Sequence, residues 1–269
     1  MNIGIIGLGH LGEALISGLI KSGTETTKLF VTARTDQSKD TIKQKYPDIN
    51  VVSDKNELVS KVDVVIIVVK PQNAKDVFDE LKETELSNKI IVSLMAGITI
   101  SDMRKMLHDH NAEKCIVRIM PTISISQCNG VIGICYEWDA SEIKEVSELF
   151  AKLGYLIYLS EDKLDDITVC AASGLAFAAF MMKEYVDACN RLFNDKTVSE
   201  EITKRIFENI LTITKEGDQS LEGLIEKIST KGGTTEAGME VIRNGGLNDT
   251  ISKCFDSALQ RINELEGNK

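Results

Sequence analysis

From residue 3 to about residue 160, short apolar runs alternate with polar segments that carry hydrophobic residues at helical spacing. The runs are NIGII, KLFVT, VDVVIIVV, KIIVSL, KCIVRIM and GVIGICY, all rich in β-branched residues. Between them lie residues 11–21, 38–46, 74–82 and 101–108, where apolar positions recur every three or four residues. A parallel neighbour strand is reached only through a long crossover, so this alternation predicts an α/β fold with a doubly wound sheet. VDVVIIVV is apolar on both faces, which fits a central strand covered by helices on each side. After Leu159 the strand pattern stops. Helical segments follow, broken at FNDKTVSEE, KEGDQS, STKGG and RNGGLND, with Ser199 and Asp218 as candidate helix starts. The expected organisation is an α/β domain over residues 1–160 and an all-α domain over residues 161–269.

The segment LAFAAFMMKEYVDAC, from Leu175, is apolar nearly all round its first three turns. It reads as too short, and too soon interrupted by Lys183 and Glu184, to span a bilayer. A helix of this kind is covered on every side, so it is expected to be buried. Its cover is either the core of its own chain or an interface between subunits.

Composition narrows the function classes. The chain has 269 residues, 43% hydrophobic and 27% charged, with a net charge of −10. Nonspecific attraction to nucleic acid or to an acidic membrane is not expected from such a charge, and a small anionic ligand needs local donors. The cysteines at 115, 128, 135, 170, 189 and 254 include no C-x-x-C pair. No metal site or redox motif is expected, and reduced thiols point to the cytoplasm. Met1 runs directly into an apolar stretch without a basic leader, so no signal peptide is read.

The first run leads straight into GLGHLG, a G-x-G-x-x-G pattern of Gly7, Gly9 and Gly12 around His10 and Leu11. Following a strand and opening a helix, it is the fingerprint of a dinucleotide site. Gly7 permits the turn, Gly9 lets backbone approach a pyrophosphate, and Gly12 lets helix and strand pack closely. The helix amino terminus adds free N–H groups and partial positive charge. An NAD site usually ends its second strand in a carboxylate. This chain has Thr32-Ala33-Arg34-Thr35 there, and Asp36 only afterwards. Arg34 and Thr35, with Lys39, suit the 2′-phosphate of NADPH, with NADH also possible. Three further loops share the carboxyl edge of the expected sheet, where ligands gather in such folds. They hold Lys70-Pro71, Ala96-Gly97 in SLMAGI, and Met120-Pro121 in RIMPT.

Near the other end lies KGGTTEAG, from Lys231. Its glycines can let backbone amides converge on an anion at a helix amino terminus. Equally, Thr234 or Thr235 can cap that helix, with the glycines as the turn before it.

In their order along nearly the whole chain, GLGHLG, VVKPQ, SLMAGI, RIMP, ASGLAF and KGGTTEAG resemble the Δ1-pyrroline-5-carboxylate reductase family. That resemblance implies an amino-terminal Rossmann domain, a carboxy-terminal helical dimerisation domain, and a homodimer or ring of dimers. It implies NADPH-dependent reduction of 1-pyrroline-5-carboxylate to L-proline, the last step of proline biosynthesis. Hydride passes from the dihydronicotinamide to the imine carbon. Gly232, Gly233 and Thr234 would hold the substrate carboxylate, Ser173 would line the substrate, and Thr235 would be the catalytic group at the ring nitrogen. A closed site would draw on both halves, from one subunit or two. The chain departs from the family pattern at Thr122 (an Asn in M-P-N-x-P), at Leu175 and Phe177 (Pro and Tyr), at Thr230-Lys231 (Ser-Pro), and at Lys55-Asn56. These departures leave two other readings, an imine reductase for a different imino acid and a non-catalytic cofactor-binding regulator of the same fold.

Overall fold

Eight strands form one sheet in the order β3-β2-β1-β4-β5-β6-β7-β8. The computed structural model describes residues 1–81, 84–86, 88–107, 115–137, 139, 141, 143–216 and 219–267. Strands and helices alternate as β1 (Ile3–Ile6), α1 (His10–Lys21), β2 (Leu29–Thr32), α2 (Asp36–Lys45), β3 (Asn50–Val51), α3 (Lys55–Lys61), β4 (Val64–Ile67), α4 (Ala74–Leu81), β5 (Ile90–Ser93), α5 (Ile100–Leu107) and β6 (Cys115–Pro121). Then follow β7 (Gly130–Tyr136), α6 (Lys144–Ala151), β8 (Gly154–Tyr158) and the short α7 (Leu164–Ile167). All neighbouring strands are parallel except β6 and β7. The six apolar runs became β1, β2, β4, β5, β6 and β7. The pattern missed β3, which has two residues, and β8, a half-exposed edge strand. It also missed α3 and α6.

VDVVIIVV behaves as a central strand. Val64 and Ile66 join the core on one face, with Leu15, Ile16 and Leu19 of α1. Val65 and Ile67 join the core on the other, with Phe78 and Leu81 of α4 and Met103 of α5. Removing one such side chain, as in Leu15→Ala, costs about 2–5 kcal/mol.

By compactness the chain divides into Met1–Ser173 with Ala258–Lys269, and Gly174–Ser257. The second unit holds α8 (Gly174–Phe193), α9 (Lys196–Glu216), α10 (Leu221–Ile228), α11 (Thr234–Asn244) and the first half of α12 (Leu247–Gly267). Tyr185 of α8 meets Phe207 of α9 edge-on at 6.1 Å, and Phe177 of α8 meets Phe255 of α12 at 5.6 Å.

Two expectations fail here, and a third is narrowed: the helix from Leu175 is not buried within its own chain, since no residue of α8 is and Phe180, Met181, Leu192 and Phe193 are exposed, which leaves an interface as its expected cover. Its neighbours in the chain cover too little of an all-round apolar surface. Nor is it short, since continuous helical backbone over Glu161–Phe193 is long and apolar enough to cross a membrane by length and composition. Finally, Ser199 does not start α9. Asp195 does so, accepting the Val198 N–H at 3.1 Å, while the buried Ser199 hydroxyl donates to the Asp195 carbonyl. Asp218, His108 and His110 lie outside the described residues.

Candidate active site

Register carries the sheet's carboxyl edge to one level. Ile6 pairs with Thr32 and with Ile67, Ile67 with Ser93, and Ser93 with Arg118. The loops after β1, β2, β4 and β5 therefore leave from a common edge, whereas β6 runs on beyond Arg118 through Met120 and Pro121, which pair with β7 and are strand where a loop was expected. Strand order reverses between β1 and β4, and the GLGHLG loop leaves the sheet at that switch point, where such folds bind ligands.

Gly7 has φ +113°, and its N–H donates to the Thr32 carbonyl at 3.0 Å. A Cβ on Gly7 would lie 2.4 Å from the Val68 carbonyl oxygen, and one on Gly12 would lie 2.2 Å from that of Gly7. Both are closed to any side chain. A Cβ on Gly9 would meet nothing within 4 Å, so here glycine keeps open space free. Gly9 is also the N-cap of α1 and supplies no side-chain bond. The N–H groups of His10, Leu11 and Gly12 are left without an intrahelical acceptor. An uncapped helix start beside open space fits a dinucleotide's pyrophosphate.

After β2, Arg34 is exposed, with no ion pair or hydrogen bond to the described residues. The Thr35 hydroxyl is engaged, capping α2 by accepting the Ser38 N–H at 3.4 Å. Lys39 donates to the Ser53 carbonyl and lies 3.8 Å from Asp36. Asp36 sits in the first turn of α2, not at the strand end. Of the three residues expected to meet a 2′-phosphate, Arg34 is the one with its donors free. After β4, Lys70 is exposed and Pro71 opens a tight helical turn ahead of α4. After β5, half-buried Ala96 and buried Gly97 form a turn, with Gly97 at φ +68°. After β6, Thr122 is 4% exposed, and its hydroxyl accepts the Val131 N–H of β7 at 3.0 Å. That side chain ties the strand ends together.

Ser173 is half-buried and ends the turn of wide helix that precedes α8. The KGGTTEAG stretch settles the question of the cap. Neither threonine caps α11: Gly233 is the N-cap, with no side-chain bond, and Thr234 and Thr235 are the first two helical residues. Threonine is the better capping residue, but the chain turns one position earlier. Gly232 has φ +73°, a conformation that disfavours any side chain. Two amides are already used. Gly233 N–H donates to the Thr230 carbonyl at 2.9 Å, and Gly232 N–H donates to the Glu236 carboxylate at 2.6 Å. The donors without an intrahelical acceptor are therefore those of Thr234, Thr235 and Glu236; of the residues expected to hold a carboxylate, Gly232 and Gly233 have their amides engaged and Thr234 does not. Thr235 is half-buried and its hydroxyl bonds to none of the described residues.

Known proteins place these features. A family model described as NADP oxidoreductase, coenzyme F420-dependent, matches residues 2–97. The model for pyrroline-5-carboxylate reductase dimerisation matches residues 161–265. Along nearly its whole length the chain is similar to proteins named pyrroline-5-carboxylate reductase. Pyrroline-5-carboxylate reductase 2 of Bacillus subtilis is 25% identical, over 98% of this chain and 95% of that one. The enzyme of Staphylococcus saprophyticus is 27% identical over 98% of each chain. Among solved structures, the pyrroline-5-carboxylate reductase of Coxiella burnetii aligns with a TM-score of 0.83 at 28% identity, covering 98% of each chain. The pyrroline carboxylate reductase of Plasmodium falciparum, solved with NADP bound, aligns at 0.90 and shares the fold at 22% identity, over 99% of this chain and 98% of that one.

The sequence reading missed two features of this edge. Glu236 accepts the N–H of Gly232, just before the Gly233 cap, and no Ser or Thr capping box announces that bond in the sequence. Arg118, inside an apolar strand, signalled a buried partner, but the partner's position 43 residues away was not readable.

Proposed function

We propose that the chain reduces 1-pyrroline-5-carboxylate to L-proline with NADPH. The observation that carries this reading is the start of α11: a helix capped by glycine alone, with its first amides and the Thr235 hydroxyl unengaged, in a chain related throughout to enzymes of that name. The α/β half, residues 1–160, serves the cofactor, and the helical half, residues 161–269, serves the substrate and dimerisation.

The residues fit an NADP-type cofactor. The amides of His10, Leu11 and Gly12 would hold the pyrophosphate, with Gly7 shaping the turn and Gly9 leaving room. Arg34 would hold the 2′-phosphate beside Thr35, whose hydroxyl stays with the helix. Lys70, Pro71, Ala96 and Gly97 would border the nicotinamide half. When bound, the reduced cofactor supplies the hydride that turns the imine carbon into a saturated one.

The chain's own groups bind and orient the imine. The amides of Thr234 and Thr235, at the positive end of α11, hold its carboxylate. The Gly232 conformation keeps those amides convergent, and Gly233 presents the helix without a side chain in the way. Ser173 borders the ring. The Thr235 hydroxyl donates to the ring nitrogen as hydride addition raises its electron density, and one proton taken from solvent, directly or through that hydroxyl, leaves the product a secondary amine. The rest is positioning. Assembly is as a homodimer or a ring of dimers, in the cytoplasm.

The test compares 1-pyrroline-5-carboxylate with unsubstituted 1-pyrroline in NADPH oxidation. Loss of the carboxylate is expected to lower kcat/KM at least a hundredfold, since polar groups built for it are left unpaired. Thr235→Ala is expected to lower turnover of the carboxylate substrate about a hundredfold, and Thr235→Ser to retain most of it. Equal use of both imines would refute the assignment of α11.

A further inference from the structure

Among the described residues Arg118 is the largest fully buried side chain, 1% exposed in the middle of β6. Its Nη1 donates to Glu161 Oε1 at 2.9 Å, and Nη2 lies 3.7 Å from Asp165 Oδ1. The same Glu161 oxygen accepts the backbone N–H of Ile100 at 2.8 Å. All these residues lie in the first compact unit.

Ile100 is the first residue of α5, directly after the Ala96-Gly97 turn. Thr99 and Asp102 close a reciprocal cap around that start. The Thr99 hydroxyl accepts the Asp102 N–H at 3.0 Å, and the Asp102 carboxylate accepts the Thr99 N–H at 3.4 Å. The cap leaves the Ile100 N–H over, and Glu161 takes it from across 61 residues of chain. A charged acceptor makes this a stronger bond than an ordinary backbone pair. Through Glu161 it ties the start of α5, after β5, to Arg118 in the middle of β6. Arg118 fixes the carboxylate, and the carboxylate fixes the helix start. Arg118 Nε and Nη2 and Asp165 Oδ1 have no hydrogen-bond partner among the described residues, and they border a cavity of about 510 Å³. A buried guanidinium with donors to spare is an expensive device for stability alone, since apolar side chains of that volume often serve a core as well or better.

We propose that Glu161, held by Arg118, is a positioning residue for the cofactor: it sets the start of α5 and so the Ala96-Gly97 turn that borders the nicotinamide half. The inference rests on the cofactor placement proposed above. Glu161 touches neither substrate nor cofactor. It acts through one backbone N–H.

That N–H can be deleted without touching the ion pair. Ile100→Pro removes it, and proline is accepted at the first helical position, where the preceding cap residue is extended in any case. Ile100→Ala is the control: it also truncates the buried side chain but keeps the N–H. NADPH affinity is read from cofactor fluorescence on the full-length protein, with turnover measured in parallel. The Ala variant is expected to bind NADPH within about twofold of wild type. The Pro variant, matched to it in melting temperature, is expected to bind about tenfold more weakly, with the KM for the imine unchanged. Glu161→Gln keeps a carbonyl acceptor for Ile100 and is expected to fall between the two. Pro and Ala variants with equal NADPH affinity would overturn the inference. Because binding is read directly, a wild type that binds NADPH but leaves the imine untouched refutes the proposed reaction and not this inference. A wild type that binds no NADPH refutes both.

Discussion

Arg34 and Thr35 sit side by side, yet the fold gives them different work. Thr35 is spent on the start of α2, while Arg34 projects into solvent with its donors free. Cofactor choice should therefore follow Arg34 alone. Arg34→Ala is expected to weaken NADPH about tenfold or more, the worth of a charged hydrogen bond, and to leave NADH nearly unchanged, as titrations with the two cofactors would show. Equal losses for both would place the 2′-phosphate elsewhere. Cys135 makes the opposite point. Burial pushes its thiol up to about 11, so it is a protonated core side chain at neutral pH. The glycine pattern was legible because each glycine is needed for a different steric reason, and those reasons are local. The ion pair of Arg118 was not, because nothing near β6 in sequence announces Glu161.

Helix starts are where sequence reading did least well. Thr234, Thr235 and Ser199 all have the chemistry of a cap, and all three lie just inside their helices, behind Gly233 and Asp195. Capping preference ranks residue types but does not fix the position at which the chain turns, and here the error is one residue at α11 and four at α9. The start of α3 is a case where local chemistry does speak. The Glu57 carboxylate bonds Lys61 first, then the hydroxyl and N–H of Ser53. These hold it down to about 2 from an ordinary 4.5. A carboxyl depressed by folding contributes stability that is complete above the ordinary value and fades as pH falls towards 2. Glu57 faces solvent, so salt should weaken the effect. In melting experiments the wild-type advantage over Glu57→Gln should be constant above pH 5 and shrink between pH 4.5 and 2. An advantage that grows on acidification would contradict the assignment.

At the scale of the molecule, the two compact units differ in how they are held together. The sheet unit carries two continuous cores. In Gly174–Ser257, Leu224 is the only buried hydrophobic among the described residues, and large side chains such as Phe180, Leu192, Leu211 and Val241 stand exposed. Helices with that much uncovered apolar surface do not persist alone in water. The family model for pyrroline-5-carboxylate reductase dimerisation matches residues 161–265, and a second copy is the cover proposed above. Periodicity alone could see that the α8 segment is apolar all round, but not that its own chain leaves it bare. Sedimentation is expected to give a dimer or larger. Phe180→Lys is expected to shift it towards monomer and lower the melting temperature. A stable wild-type monomer at micromolar concentration would refute this. The central claim is that this chain delivers hydride to a cyclic imino acid, and isotope transfer tests it most directly. The protein is given 1-pyrroline-5-carboxylate and NADPH carrying deuterium at the reactive C4 position, and the product is examined by mass spectrometry and NMR. The account predicts proline with one deuterium, on the ring carbon that was the imine carbon. Unlabelled proline, or consumption of neither reactant, would contradict it.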